Sequence, residues 1–382
     1  MNILIDARLL GRGDRSGVGE YSSELIKELI RDNYKTNFKI LYNGFNFPPP
    51  PIFWTERKNV KVLNFNIPNK FFNLSSRFFN FPNLQKIVSP DVLFSPHLSP
   101  LSLKNTPKVL TIHDLSFIRY PEFFSKSQRL WHYLQNARRQ INESVAIIAD
   151  SEFTKSDLVD LFKIRPDKIS IVYPGLNSSF KVLSFEKELK NLFSFQKKYR
   201  LENPYLLYLG SFEPRKNIPA AIRAFNEIKK DSRFSDLELV AAGGAGWLSK
   251  NIYRAISLSP FSSAIKIIRD LIPEEKVFLY NKARAFVFPS FFEGFGFPPL
   301  EAQSCGVPVI ASNRSSLPEI LGDSALLVDP WKISELTDAL KEVLLNNSLA
   351  SELKKRGLEN VRKFSWEKSA SEILNIFYSI CS

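Results

Sequence analysis

Cysteine is nearly absent. Only Cys305 and Cys381 occur in 382 residues, far apart and in no metal or redox spacing, which excludes a disulfide scaffold and makes a reducing, cytoplasmic location the expectation. Long apolar runs are missing too: none approaches the roughly 18 uninterrupted apolar residues of a membrane span. With 44% hydrophobic and 24% charged residues, the composition is that of a soluble globular protein long enough for two domains. Met1-Asn-Ile-Leu-Ile-Asp6 enters a strand-like segment directly, with no basic region, apolar stretch and cleavage site, so a signal peptide is not expected. The net charge of +13 and pI near 9.5 would suit nucleic acid, yet no zinc-finger spacing, helix-turn-helix signature or RNP-type aromatic motif accompanies them. No nucleic-acid partner is therefore expected.

Acidic residues are absent from one stretch, 57–86, which holds Arg57, Lys58, Lys61, Lys70, Arg77 and Lys86. Phe65, Phe71, Phe72, Phe78, Phe79 and Phe81 are interleaved with them. Cations alternating with exposed rings suit a surface that settles on anionic lipid head groups. The alternative is that the phenylalanines are core and the lysines merely solvated, since phenylalanine occurs 33 times in the chain.

Strand and helix patterns alternate along nearly the whole chain. Strands are expected at Asn2–Asp6, Phe38–Tyr42, Val60–Phe65, Val92–Ser95, Val109–His113, Val145–Ala149 and Lys168–Val172, with helices from about Gly19, at Gln128–Asn142 and at Thr154–Phe162. The pattern breaks at Pro174-Gly175, and 176–203 reads as a connector containing a charged helix-like piece. It restarts with strands at Tyr205–Leu209, Leu237–Ala241, Ile265–Ile268, Ala285–Phe288, Val307–Ala311 and Ala325–Val328. Helices are expected between them at Ile218–Lys230, Pro273–Lys282, Pro299–Ser304 and Ile333–Leu345. Continuous apolar strands separated by helices imply parallel sheets covered on both faces. The expected organisation is two doubly wound Rossmann-like α/β domains, 1–175 and 204–365, facing across a cleft, with a closing helix, 366–382, that crosses back to the first.

The run Phe291-Phe-Glu-Gly-Phe-Gly-Phe-Pro-Pro-Leu-Glu301 carries the most chemistry. It follows the apolar strand and places two glycines before Pro298-Pro299, where a helix tolerates residues without an N–H. A strand, a glycine-rich loop and a helix N-terminus direct backbone N–H groups and a positive dipole end toward a ligand, which suits a phosphate. The flanking Glu293 and Glu301 suit hydroxyl groups instead. The combination points to a nucleotide sugar.

This run, continuing through Ala302-Gln-Ser-Cys-Gly-Val-Pro-Val-Ile-Ala-Ser312, resembles the signature of the family-four retaining glycosyltransferases, which have the two-domain GT-B architecture. Ser16-Gly-Val-Gly19, Thr111-Ile-His-Asp-Leu115, Ser151-Glu-Phe-Thr-Lys155, Val172-Tyr-Pro-Gly175 and Gly210-Ser-Phe-Glu-Pro-Arg-Lys-Asn217 extend the resemblance in order over most of the chain. It implies that Gly17 approaches the donor diphosphate, that Gly19 opens the following helix, and that Lys216 binds the diphosphate. His113 is implied at the transferred sugar, Asp114 at an acceptor hydroxyl, Glu293 at the donor sugar and Glu301 at the ribose. The amides of Gly296 and Phe297 are expected near the diphosphate and the sugar hydroxyls. The family often has an arginine after the glycine matching Gly210; Ser211 stands there, so either Arg215 takes over the second phosphate contact or the site is less cationic than is usual in the family. Arg269, Asp270 and Leu271 are candidates for the base pocket.

No Asp-x-Asp is present to hold a divalent cation, so the expectation is a metal-independent enzyme whose own cations stabilise the leaving diphosphate. No carboxylate nucleophile for double displacement is identifiable, which favours same-face substitution. The motif set resembles bacterial mannosyltransferases. The implied reaction moves a hexose, expected to be mannose with GDP-mannose as the donor, to a glycan or lipid-linked acceptor at the inner membrane face, in surface polysaccharide synthesis and without a bound cofactor. Other readings are an epimerase or phosphorylase of the same architecture, or a basic nucleic-acid-binding module.

Overall fold

The computed structural model describes residues 1–12, 16–31, 33–45, 47–79, 81–184, 186–244, 246–269 and 271–382. They form two compact units: Met1–Leu115, Ser127–Gly175 and Phe364–Ser382 make the first, Ser116–Lys126 and Leu176–Lys363 the second.

The first unit holds an all-parallel sheet of β1 (Asn2–Asp6), β2 (Asn37–Leu41), β3 (Val60–Leu63), β4 (Val92–Ser95), β5 (Lys108–Ile112), β6 (Ala146–Ala149) and β7 (Ile169–Ile171). Their order is β3-β2-β1-β4-β5-β6-β7, so the winding reverses between β1 and β4. β4 and β5 are buried along their whole length, the mark of a sheet covered on both faces. The helix Gly17–Arg31 buries Tyr21, Leu25, Ile26, Leu29 and Ile30 along one stripe. The last helix, Trp366–Cys381, packs beside it and sets Phe377 against Phe94, with ring centroids 5.2 Å apart.

The second unit repeats the plan with β8 (Tyr205–Leu209), β9 (Glu238–Ala242), β10 (Ile265–Ile268), β11 (Ala283–Phe288), β12 (Val309–Ser312) and β13 (Leu326–Val328). The order β10-β9-β8-β11-β12-β13 places its reversal between β8 and β11. Ligands of doubly wound sheets bind outside the carboxyl ends of the strands at such a reversal. The loops that leave β8 and β11 carry the two motif runs singled out above.

Every expected strand is present, with ends shifted by at most two residues. Several helices differ. The one expected at Gln128–Asn142 is two, Lys126–Gln135 and Ala137–Glu143, because Asn136 adopts a left-handed conformation (φ 49°) and its side chain accepts from the Arg139 N–H as the cap of the second. The helix expected from Gly19 begins at Gly17, with the Gly19 N–H 3.3 Å from the Ser16 hydroxyl. Helices at Asn69–Phe79, Lys250–Ser257 and Asn347–Asn360 were not expected; the last buries only Leu353, Gly357 and Asn360 and so offers little apolar period.

The compact units also depart from the expected division. Residues 176–203 belong to the second unit, where the helix Glu186–Tyr199 is tied in by Lys198 and Tyr199, which donate to Glu275 at 2.5 and 2.8 Å. Ser116–Lys126 belongs to the second unit as well, because Phe124 stacks on Trp247 and the Trp247 indole N–H donates to the Phe123 carbonyl at 2.6 Å.

In the basic-aromatic stretch the phenylalanines divide. Phe72 is fully buried against Leu4, Leu41 and Leu93, worth about 1.5–3 kcal/mol of apolar burial, and Phe65 packs on the same cluster. Phe71 and Phe81 are exposed, as are Lys61, Lys70 and Lys86. The side chains of Arg77, Phe78 and Phe79 lie outside what the structure describes.

Candidate functional site

In the second unit, Gly210 closes β8 and the chain turns through Ser211-Phe-Glu-Pro-Arg-Lys-Asn217 into the helix Ile218–Lys229. Pro214–Lys216 is a single 3-10 turn, and Asn217, left-handed at φ 53°, separates it from the helix. This puts two consecutive cations beside the loop after β11. The Phe291 N–H donates to the Arg215 carbonyl at 2.8 Å, and the Arg215 guanidinium reaches the Phe292 carbonyl at 3.1 Å.

The side chains then converge on Glu293. Lys216 Nζ lies 2.6 and 2.8 Å from its two carboxylate oxygens and Arg215 Nη1 lies 3.2 Å from one of them, while Arg215 Nη2 is 3.1 Å from Glu213 Oε1. Glu293 is 5% and Lys216 7% exposed, so these charges interact largely out of water. Burial and the neighbouring Arg215 charge lower the Lys216 pKa, and Glu293 and Glu213 offset this only in part. The cluster is thus two acids and two cations in which the like-charged pair is covalently adjacent. Ser211, the residue in place of the usual arginine, donates to Glu213 Oε1 at 2.6 Å, whereas Glu213 Oε2 is buried without a hydrogen-bond partner.

The glycine loop has the form its sequence implies. Gly296 caps the helix Phe297–Ser304 at φ 104°, and a Cβ there would stand 2.8 Å from Leu317 Cδ2. The Ser316 hydroxyl donates to the Glu293 or Phe295 carbonyl (3.1 and 3.0 Å), and the Ser315 hydroxyl accepts from the Glu293 N–H at 2.9 Å. Glu301, one turn into the helix, is 2% exposed. Tyr280 donates to it at 2.7 Å, and Lys276 Nζ lies 3.9 Å away. Leu271 follows β10 and is partly buried; Arg269 lies over the Tyr253 ring at 5.0 Å, and Asp270 lies outside the described residues.

In the first unit, His113 stands just past β5. Its Nδ1 is 2.6 Å from Asp150 Oδ2 and its Nε2 2.8 Å from the Pro96 carbonyl. Burial disfavours the imidazolium, but the charge and hydrogen bond of Asp150, with the Pro96 carbonyl, outweigh it and raise the pKa above the ordinary histidine value. Both ring nitrogens are therefore engaged by acceptors of the protein itself, as suits a charged ring donating twice. Asp114 is the next residue and is partly buried; Gly17, first residue of its helix, is exposed. Beside them lies a second buried group. Arg8 binds Asp6 through Nε at 2.7 Å and Nη2 at 2.6 Å, reaches the Ser99 hydroxyl at 2.9 Å, and Lys108 Nζ donates to the Ser99 carbonyl at 2.8 Å.

Arg215, Lys216 and Glu293 thus meet directly, and Gly210, Ser211, Gly296, Phe297 and Glu301 occupy the two loops around them. Gly17, Gly19, His113 and Asp114 belong to the other unit. Sequence reasoning missed Glu213, Tyr280, Lys276 and Asp150. A signal existed for three of them: Lys276 and Tyr280 are four residues apart on one helix face, and Asp150 is the first residue past a strand. Among the described residues, no group of three or more acids, histidines or cysteines could hold a metal ion, and no helix is long and apolar enough to cross a membrane.

Residues 15–180 match the domain described as Glycosyltransferase Family 4, and residues 190–360 that described as Glycosyl transferases group 1. O-antigen chain mannosyltransferase B of Escherichia coli is 31% identical over 269 residues, 70% of this chain and 69% of that protein. Two solved structures have the same fold. Sucrose-phosphate synthase from Thermosynechococcus elongatus superposes with a TM-score of 0.79 at 18% identity, over 100% of this chain and 99% of that one. Anabaena Alr3699/HepE, in complex with UDP and glucose, gives 0.73 at 17% identity, over 99% and 100%. With its two parallel-sheet Rossmann-like units, the chain belongs to glycosyltransferase family 4 and is a glycosyltransferase of the GT-B fold.

Proposed function

We propose that this enzyme is a retaining hexosyltransferase that moves mannose from GDP-mannose to a glycan or lipid-linked acceptor in surface polysaccharide synthesis. The observation that carries the reading is the buried Lys216–Glu293–Arg215 cluster at the reversal of the second sheet. The buried Lys216 and the partly buried Arg215 repel each other, and a diphosphate at the loop's edge satisfies both while Glu293 turns to the hydroxyls of the sugar. As the bond from the sugar to the diphosphate breaks, negative charge builds on the leaving oxygen. In this reading Lys216, Arg215 and the amides at Gly296 and Phe297 meet it, in place of a metal. Glu301, held by Tyr280, accepts the ribose hydroxyls. In a same-face substitution the departing phosphate oxygen takes the acceptor's proton, so no carboxylate nucleophile is needed.

In the first unit, Gly17 is assigned to the diphosphate, Asp114 to an acceptor hydroxyl and His113 to the sugar side. His113 is held in a fixed orientation there, its nitrogens engaged by Asp150 and the Pro96 carbonyl. The mannosyl reading draws on the Escherichia coli relative named for that activity. Working at the cytoplasmic face, the enzyme would meet anionic lipid through Lys61, Lys70, Phe71, Phe81 and Lys86, all exposed. Co-sedimentation with anionic but not neutral vesicles is the expected result.

A thermal-shift panel of UDP-, GDP-, ADP- and TDP-sugars tests the donor. GDP-mannose should give the largest ligand-linked stabilisation, about 2.7 kcal/mol at a hundredfold excess over its Kd. Equal stabilisation by all four, or by none, overturns the assignment.

A further inference from the structure

Near the Glu293 loop the second unit carries a stack of rings that the donor chemistry leaves unused. Tyr120 stacks on Phe123 (5.4 Å, 20°), Phe123 on Phe291 (5.6 Å, 16°), and Phe291 on Trp331 (4.1 Å, 30°). Phe291 covers one side of the Trp331 indole, yet the residue remains 67% exposed, so its other face is open to solvent. The loop beneath it is fixed. Asn217 donates to the Pro330 carbonyl at 2.9 Å, the Trp331 N–H donates to Asp329 Oδ1 at 3.1 Å, and Arg314 holds the second oxygen of Asp329 at 3.1 Å.

We infer that the open face of Trp331 is a subsite for the acceptor, on which a pyranose ring of a saccharide chain stacks. The inference rests on the glycosyltransferase reading above and extends it to the acceptor. An indole face is electron-rich, and the axial C–H bonds of a pyranose carry partial positive charge, so the two attract without a hydrogen bond. A ring stacked on Phe291 over a fixed loop loses little freedom on binding, which favours a ligand that lies flat on it. The nucleobase is the competing flat ligand, and the topology argues against it. Its expected loop follows β10 at one edge of the sheet, whereas Trp331 follows β13 at the other. Five strand spacings of about 4.8 Å each separate these edges. The Glu293 loop, after β11, lies between them, and Phe291, two residues before Glu293, is itself a member of the stack. A ligand on Trp331 thus lies on the side of the sugar site away from the base.

The test uses the full chain with mannotriose as the probe, comparing wild type with Trp331→Ala and Trp331→Phe. Saturation-transfer NMR should show mannotriose contacts in wild type, their loss in Trp331→Ala and their retention in Trp331→Phe. In transfer assays, Trp331→Ala should raise the acceptor KM about fivefold to tenfold with little change in kcat. GDP-mannose should stabilise all three proteins equally. Mannotriose binding that is absent from wild type, or unchanged in Trp331→Ala, overturns the subsite. Failure of GDP-mannose to stabilise wild type overturns the donor reading instead.

Discussion

The two sheets handle buried charge at their carboxyl edges in different ways. In the first unit each cation has its own acceptor: Arg8 lies bidentate on Asp6, Lys108 on the Ser99 carbonyl, and His113 between Asp150 and Pro96. In the second unit Arg215 and Lys216 are neighbours in sequence, lean on the same Glu293, and leave one oxygen of Glu213 without a partner. The first arrangement pairs its cations singly and fixes geometry, although Asp150 Oδ1, like Glu213 Oε2, is buried without a hydrogen-bond partner. The second sets like charges side by side, with Arg215 lowering the Lys216 pKa, a repulsion that the proposed diphosphate would relieve.

The sharpest way to break this contrast is Lys216→Ala. Turnover should fall by about two to three orders of magnitude, measured as sugar transfer at saturating donor on protein shown to be folded by circular dichroism, and the melting temperature should fall as well because Glu293 loses a buried partner. Near-normal turnover would reject the role of the cation pair. Glu301→Gln should then weaken donor binding about tenfold, because a charged acceptor is replaced by a neutral amide. Calorimetry with GDP-mannose reads this directly, and unchanged affinity refutes the ribose contact.

In the first unit the expected change is in stability. His113 has a raised pKa, so its pairing with Asp150 stabilises the fold fully below the unfolded histidine value near 6.5 and is lost as pH rises through the higher folded value. Melting temperatures of wild type and Asp150→Asn should differ most at acid pH and converge as pH rises. A gap independent of pH would remove His113 as its source. The smallest effect is expected at Asn136→Ala, which loses a cap and strains a left-handed residue, for about 1–2 kcal/mol in denaturant titration.

How much of this was legible beforehand follows the same division. The strands were, because a parallel sheet buried on both faces writes itself as short, continuous apolar runs between helices. The Glu293–Glu301 and Gly210–Asn217 runs were as well, since a tight turn, a helix start and adjacent cations are local features. Asn136 was not: the apolar period crosses it unbroken, and only its backbone conformation divides the helix. Nor was Ser116–Lys126, whose place in the second unit is set by Phe123 and Phe124 meeting Phe291 and Trp247, well over a hundred residues away.

The sequence by itself determined the two α/β units, the phosphate-type helix start at Gly296 and the presence of two acids and two cations in its motifs. Only the tertiary structure decided which of them touch. Lys216 could have faced solvent; it binds Glu293 because the order β10-β9-β8-β11-β12-β13 sets the loops after β8 and β11 side by side. Glu301 could have been a surface acid; the neighbouring helix buries it beneath Tyr280. Local pattern follows from backbone geometry and solvent preference within a few residues. Pairing across long sequence separations depends on sheet order, and no spacing along the chain encodes that.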